Sequence, residues 1–303
     1  MTEIIAEGLR FPEGPVVLSD GSVLVVEVAR GTLTRVSTSG ALQVVADLGG
    51  GPNGAAFGPD GRIYICNSGG FEWHETDGML LPGLAPADYR GGSIQRVDLE
   101  TGSVETLYTH CGDERLKGPN DLVFDAHGGF WFTDCGKRFP RSEDVGAIYY
   151  ASTDGSLIAE KIYPRSFPNG IGLSPDEKWL YVAETMTGRV WRYQVTAPGE
   201  VIVPPGVLNG EALLYGAPGY VLYDSMAIEA NGNLCVATLG RGGFTVLSPD
   251  GALVEHQPMP DPGTTNIAFG GDDLRTAYAT LSCTGRLAKA RWPRPGLALN
   301  FSR

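Results

Sequence analysis

The sequence is short of positive charge. Its 303 residues carry 23 Lys and Arg against 35 Asp and Glu, a formal net charge of −12. A phosphate backbone is bound by a basic face, so no nucleic-acid partner is expected. An acidic balance is compatible with cation binding and with solubility. Cysteine is scarce: residues 66, 111, 135, 235 and 283 are odd in number and form no CxxC pair. That argues against a disulfide framework or a cysteine zinc site and for a reducing, cytoplasmic setting. No GxSxG elbow is present, which disfavours a Ser-His-Asp hydrolase. No apolar run reaches the roughly 18 residues of a membrane span. The opening MTEIIAEGLRFPEGP lacks the basic-then-apolar order of a secretion signal, so no membrane role is expected. Helical periodicity is missing throughout.

Turn residues are abundant. The 43 Gly and 21 Pro make up about a fifth of the chain, well above the usual share of roughly 12%, and they are scattered. A degenerate repeat accounts for them. PEGPVVLSDGSVLVVEV (12–28), PNGAAFGPDGRIYICNS (52–68), PNDLVFDAHGGFWFTDC (119–135), PNGIGLSPDEKWLYVAE (168–184), DSMAIEANGNLCVATLG (224–240) and TNIAFGGDDLRTAYATL (265–281) share one plan. Each has a polar opener, a short strand, a turn and a second strand. The openers fall at 13, 53, 120, 169, 224 and 266. Most separations match one four-stranded propeller blade of roughly 40–50 residues. The long gap between 53 and 120 holds an insertion, FEWHETDGMLLPGLAPADYRGG at 71–92. Stretches such as GSIQRVDLETGSVETLY (92–108) and GGFTVLSPDGALVEHQ (242–257) supply two further strands per unit. The reading is all-β: a six-bladed β-propeller, one domain over 1–303, with a central metal site. A β-sandwich would give six hairpins no reason to open on matched polar residues.

In a propeller the innermost strands line a central channel. Glu13, Asn120, Asn169 and Asp224 then converge on one axis, and all four offer oxygen. Two carboxylates crowded in a channel repel one another unless a cation lies between them. Such a set suits one divalent cation: calcium first, with magnesium or manganese as alternatives. Zinc more often takes His or Cys but is not excluded. Asn53 and Asn266 occupy the same slot in the second and sixth units, as pocket-lining groups or plain turn residues. Taken singly, each opener is an ordinary turn or cap residue; their joint occurrence at matched positions is the signal.

The motifs FPEGPVV (11–17), GPNDLVFD (118–125), FPNGIGLSPDEKWLYVAET (167–185), YDSMAIEANGNL (223–234) and TTNIAFGGDDLRTAYAT (264–280) resemble those of the SMP-30/gluconolactonase/luciferin-regenerating enzyme family. The resemblance spans about residues 5–290. It implies a metal-dependent lactonase that hydrolyses a small γ- or δ-lactone, such as a sugar-acid lactone, to the hydroxy acid. It implies Glu13, Asn169 and Asp224 as metal ligands, Asn120 as ligand or substrate contact, and Asp224 as general base. Asp121 would orient the ligands, and Ser225 stands where glycine is common. Sugar lactonases of the family often carry Arg before the Pro-Asn-Asp; here that residue is Gly118.

The insertion contributes Trp73 and His74, and Arg138 follows a third-unit strand; all three are candidate substrate contacts, with Asn53 and Asn266. The insertion reads equally as a lid over the channel or as a self-packed loop. Two other functions share the fold and the ligand set: a phosphotriesterase of the diisopropylfluorophosphatase type and a non-catalytic calcium-binding propeller. A monomer or weak homodimer is expected.

Overall fold

A computed structural model describes residues 2–205 and 212–302. Among these, no α-helix occurs, and six antiparallel sheets follow one another along the chain. Blade 1 is Pro12–Val17, Val23–Glu27, Thr32–Val36 and Leu42–Asp47; blade 2 is Pro52–Phe57, Ile63–Asn67, Ser93–Val97 and Val104–Tyr108. Blade 3 is Pro119–Phe124, Phe130–Asp134, Gly146–Ala151 and Ile158–Arg165. Blade 4 is Pro168–Leu173, Trp179–Glu184, Arg189–Ala197 and Glu200–Ile202, with Leu213–Gly216 also paired to its third strand. Blade 5 is Leu222–Ile228, Leu234–Leu239, Phe244–Leu247 and Leu253–Gln257. Blade 6 takes Thr264–Gly270, Thr276–Leu281 and Arg286–Arg291 from the end of the chain and its outermost strand, Thr2–Ala6, from the beginning. That pairing closes the ring, and nothing in the local sequence of Thr2–Ala6 announces it.

The six-bladed propeller is therefore the architecture, and the packing explains the pattern. Each hydrophobic cluster lies between two neighbouring blades. Leu24 and Val26 join Phe57, Ile63 and Ile65 of blade 2, while Val23 and Val25 of the same strand join Tyr278 and Leu287 of blade 6. Likewise Phe130 and Phe132 face blade 2, and Trp131 faces blade 4. A second strand is buried on both faces, so it is apolar without alternation. Outermost strands such as Leu42–Asp47 are largely exposed.

The insertion leaves between the second and third strands of blade 2 and carries its own hairpin, Trp73–Thr76 with Met79–Pro82. It does not pack on itself alone. Trp73 packs against Phe11 of blade 1 with the rings tilted by 53° and their centroids 5.1 Å apart. Leu80 N–H donates to the Cys283 carbonyl of blade 6 (2.8 Å), and Ala85 N–H donates to the Arg138 carbonyl of blade 3 (2.9 Å). A segment from blade 2 thus touches blades 1, 3 and 6.

Candidate functional site

The openers are held from behind. The last residue of the second strand is a buried acid or amide in blades 1 to 4: Glu27, Asn67, Asp134 and Glu184. Each accepts backbone N–H groups from the segment that leads into the opener. Glu27 takes Arg10 N–H at 2.7 Å and Asn67 takes Gly51 N–H at 2.9 Å. Asp134 takes Lys117 and Gly118 N–H, both at 2.7 Å, and Glu184 takes Ser166 N–H at 3.1 Å. Their signal was present in the sequence as a constant offset of 14 or 15 residues after the opener.

The openers are then turned by bulges. Blades 2 to 5 each place two residues opposite one: Asn53–Gly54, Asn120–Asp121, Asn169–Gly170 and Asp224–Ser225. An extra residue of this kind re-aims a side chain out of the sheet alternation. Blade 1 breaks register just after Glu13. Neighbouring inner strands meet closely at these points. A Cβ at Gly14 would lie 2.5 Å from the Asn53 carbonyl, one at Gly54 2.6 Å from that of Asn120, and one at Gly170 2.6 Å from that of Asp224. Thr133 Oγ1 donates to the Asn169 carbonyl at 2.6 Å, and Asn266 Nδ2 donates to Glu13 Oε2 at 2.9 Å. All six openers are buried.

Their hydrogen bonds leave a set of free oxygens. Glu13 Oε2 accepts Gly14 N–H (2.8 Å) as well as Asn266. Asn266 Oδ1 accepts Ile267 N–H at 2.8 Å, so that amide is committed at both ends. Asn169 Nδ2 donates to Thr185 Oγ1 at 3.1 Å, and its Oδ1 accepts from Ser225 Oγ at 3.5 Å. Asp224 Oδ1 accepts Ser225 N–H at 3.0 Å, and Asp121 Oδ1 accepts Leu122 N–H at 2.9 Å. Asn120 Oδ1 and Asn53 Oδ1 are buried with no partner.

The electrostatics match. Burial pushes the Glu13 carboxyl above its ordinary range. Burial, then the charge of Glu13, lifts Asp224 well above it and moves Asp121 up to about 7. No Lys or Arg is among the groups acting on these three acids. Buried charges are ordinarily paired or bound to a metal. A divalent cation would reverse the repulsion and satisfy the orphan amide oxygens, so the residues fit one. Among the described residues no three His, Cys, Asp or Glu side chains form a metal cluster; a cation here depends on amide oxygen.

At the mouth, Trp73 is half-buried against Phe11 and Phe71. His74 is exposed, and Arg138 is half-exposed with Glu143 at 3.9 Å. Lys137 was not anticipated. Its ammonium is buried, donates to the Gly70 carbonyl (2.6 Å) and sits 3.6 Å over the Phe71 ring. Below the oxygens the channel continues as a cavity of about 190 Å³ lined by Val16, Ala55, Leu122, Ile171 and Met226 and, from the C-terminal segment, Leu297 and Leu299.

Residues 11–283 match the family model described as SMP-30/Gluconolactonase/LRE-like region. The chain belongs to the SMP-30/gluconolactonase/LRE-like family. A relative from Staphylococcus saprophyticus, named lactonase drp35, is 31% identical over 282 residues, 90% of this chain and 79% of the relative. The fold is shared with a gluconolactonase from Xanthomonas campestris (TM-score 0.74, 20% identity, 96% and 89% of the two chains). It is also shared with regucalcin, a calcium-binding protein from Agrobacterium tumefaciens (TM-score 0.74, 17% identity, 100% and 97%). In this SMP-30/gluconolactonase/LRE-like chain Gly118 has a steric cause: a Cβ there would lie 2.4 Å from the Gly136 carbonyl. An arginine at that position needs blade 3 to shift.

Proposed function

We propose that the protein is a divalent-cation-dependent lactonase that opens a small γ- or δ-lactone, a sugar-acid lactone or similar, to the hydroxy acid. The observation that carries the reading is a cluster of buried oxygens on the axis: the Asn53 and Asn120 Oδ1 atoms have no hydrogen-bond donor, and the Glu13 and Asp224 carboxylates have no basic residue acting on them. Family membership and the relative named lactonase support it. Glu13, Asn120, Asn169 and Asp224 would hold the cation; an all-oxygen set disfavours zinc, and calcium goes ahead of magnesium or manganese because it accepts many side-chain oxygens in flexible geometry where magnesium keeps its waters. Bound there, the cation supplies Lewis-acid polarisation of the lactone carbonyl.

The chain's own groups do the rest. Asp224 keeps Oδ1 against the Ser225 amide and offers Oδ2 to the attacking water as general base. The water oxygen bonds to the carbonyl carbon, the ring C–O bond breaks, and the departing alkoxide takes the proton from Asp224. Asn120 meets the substrate beside the cation, and Asp121 with Ser225 fixes the positions of Asp224 and Asn169. Asn266 acts through Glu13. Trp73, His74 and Arg138 would contact the part of the substrate that reaches the mouth. We further propose one propeller domain over 1–303, working in the cytoplasm as a monomer or weak homodimer; the five unpaired cysteines suit that setting.

The test is a panel of γ- and δ-lactones followed by proton release, with chelated protein reloaded with each metal in turn. Turnover restored by one cation is expected. Hydrolysis of fluorophosphates with no lactone turned over would move the activity to phosphotriesters, and cation binding without any turnover would leave a calcium-binding propeller.

A further inference from the structure

We infer that Asn53 supplies a fifth protein oxygen to the cation on the axis. The inference rests on reading that site as a cation site, and it enlarges the ligand set from four blades to five. Three observations carry it. Asn53 occupies the same bulge as Asn120, Asn169 and Asp224: in each blade from 2 to 5 the opener and its successor stand opposite a single residue of the second strand. The same backbone device therefore aims all four side chains. Second, Asn53 is buried at 7% exposure, and its Oδ1 is one of two buried opener oxygens with no partner. Leaving an amide oxygen buried and unmatched costs roughly 1–3 kcal/mol, so the position is explained by something that the oxygen meets in the working protein. Third, its location is fixed by contact at the hub. The backbone of Asn53 lies against Gly14, beside Glu13, and Gly54 lies against the backbone of Asn120 and Asp121.

The sixth opener shows the contrast. Asn266 turns its Nδ2 to Glu13 and its Oδ1 to a backbone amide, so its side chain is already held at both ends. Asn53 and Asn120 thus each present an unpartnered oxygen, Glu13 and Asp224 keep spare lone pairs on their carboxylates, and Asn169 Oδ1 meets only Ser225 Oγ, at 3.5 Å. Calcium accepts roughly six to eight oxygens in flexible geometry, whereas magnesium holds to a tight octahedron and keeps several waters. Five protein oxygens with room for water and substrate select for calcium.

The experiment compares wild type, Asn53→Leu and Asn53→Asp. Calcium affinity is measured by titration calorimetry, and bound waters are counted from terbium luminescence lifetimes in water and deuterium oxide. Asn53→Leu should weaken calcium by at least the roughly tenfold that follows loss of groups which merely orient ligands, and should add one bound water. Asn53→Asp, which keeps an oxygen, should bind calcium at least as tightly as wild type and keep the wild-type water count. It also serves as the informative variant if Asn53→Leu fails to fold, as judged by circular dichroism in chelator: an added water in Asn53→Asp would overturn the inference. Unchanged affinity and water count in Asn53→Leu would overturn it too and make Asn53 a substrate contact only. A wild type that binds no divalent cation would instead remove the cation reading beneath it.

Discussion

Asp224 and Glu13 are buried carboxylates with no basic residue among their neighbours. Without a cation burial raises the pKa of both carboxyls, and the Glu13 charge raises that of Asp224 further, a cost to folding. Asp224→Asn removes one charge and keeps the shape. Its expected signature has two parts. Activity falls by roughly 10³ or more, since a general base alone contributes about 10²–10⁴. Melting in chelator rises above that of wild type, while the added stability from calcium shrinks. In wild type, calcium at a hundred times its Kd should contribute about 2.7 kcal/mol. Wild-type activity in Asp224→Asn, or a lower melting temperature in chelator, contradicts this account. Backbone strain gathers at the same place. Phe11 and Phe167, each just before the Pro that precedes an opener, have φ of 57° and 53°, a conformation that costs a non-glycine residue about 1–3 kcal/mol.

The inner strand and the insertion each depend on a contact made outside their own sequence. At the inner strands, Gly170→Ala would drive a methyl group to 2.6 Å from the Asp224 carbonyl. It should destabilise by about 1–3 kcal/mol and weaken calcium binding at the same time, because the backbone that moves carries a ligand. Denaturant melts with calorimetry on one sample check both; lost stability with unchanged calcium affinity would unlink the contact from the site. At the insertion, Lys137 is the latch. Burial lowers its pKa from 10.5 to about 7. The penalty for its charge is fully present below the folded value, and it disappears as pH rises toward the unfolded one. Wild type should therefore gain stability relative to Lys137→Met between about pH 7 and 10.5. The variant should also be cut faster by protease within 71–92. Parallel pH profiles for the two proteins would remove the latch.

Across the whole molecule, ring closure rests on Thr2–Ala6 pairing with Arg286–Arg291. Deleting residues 2–6 uncovers an edge strand, and open edges invite pairing with another chain. The expected result is concentration-dependent association on a sizing column and a lower melting temperature, at about 2–4 °C for each kcal/mol lost. A monomeric deletion variant that melts like wild type would show the ring to be held at the hub alone.

The amino-acid sequence by itself determined the six hairpins, because strand alternation, turn chemistry and repeat spacing are local properties. It also put an oxygen-bearing side chain at every opener, and it marked 71–92 as an insertion. The tertiary structure decided which of those oxygens stay uncommitted. Asn53 and Asn266 are the same residue type in the same slot, yet one keeps a free Oδ1 and the other is bound at both ends. Asn266 lies in register opposite Thr280 whereas Asn53 lies in a bulge, and Glu13 of the neighbouring blade takes the Asn266 amide. The route of the insertion, its hold on Lys137 and the closing strand from the far end of the chain were settled in the same way. They rest on contacts between residues far apart in sequence, whose free energy comes from burial and hydrogen bonding in the assembled ring and leaves no periodic trace along the chain.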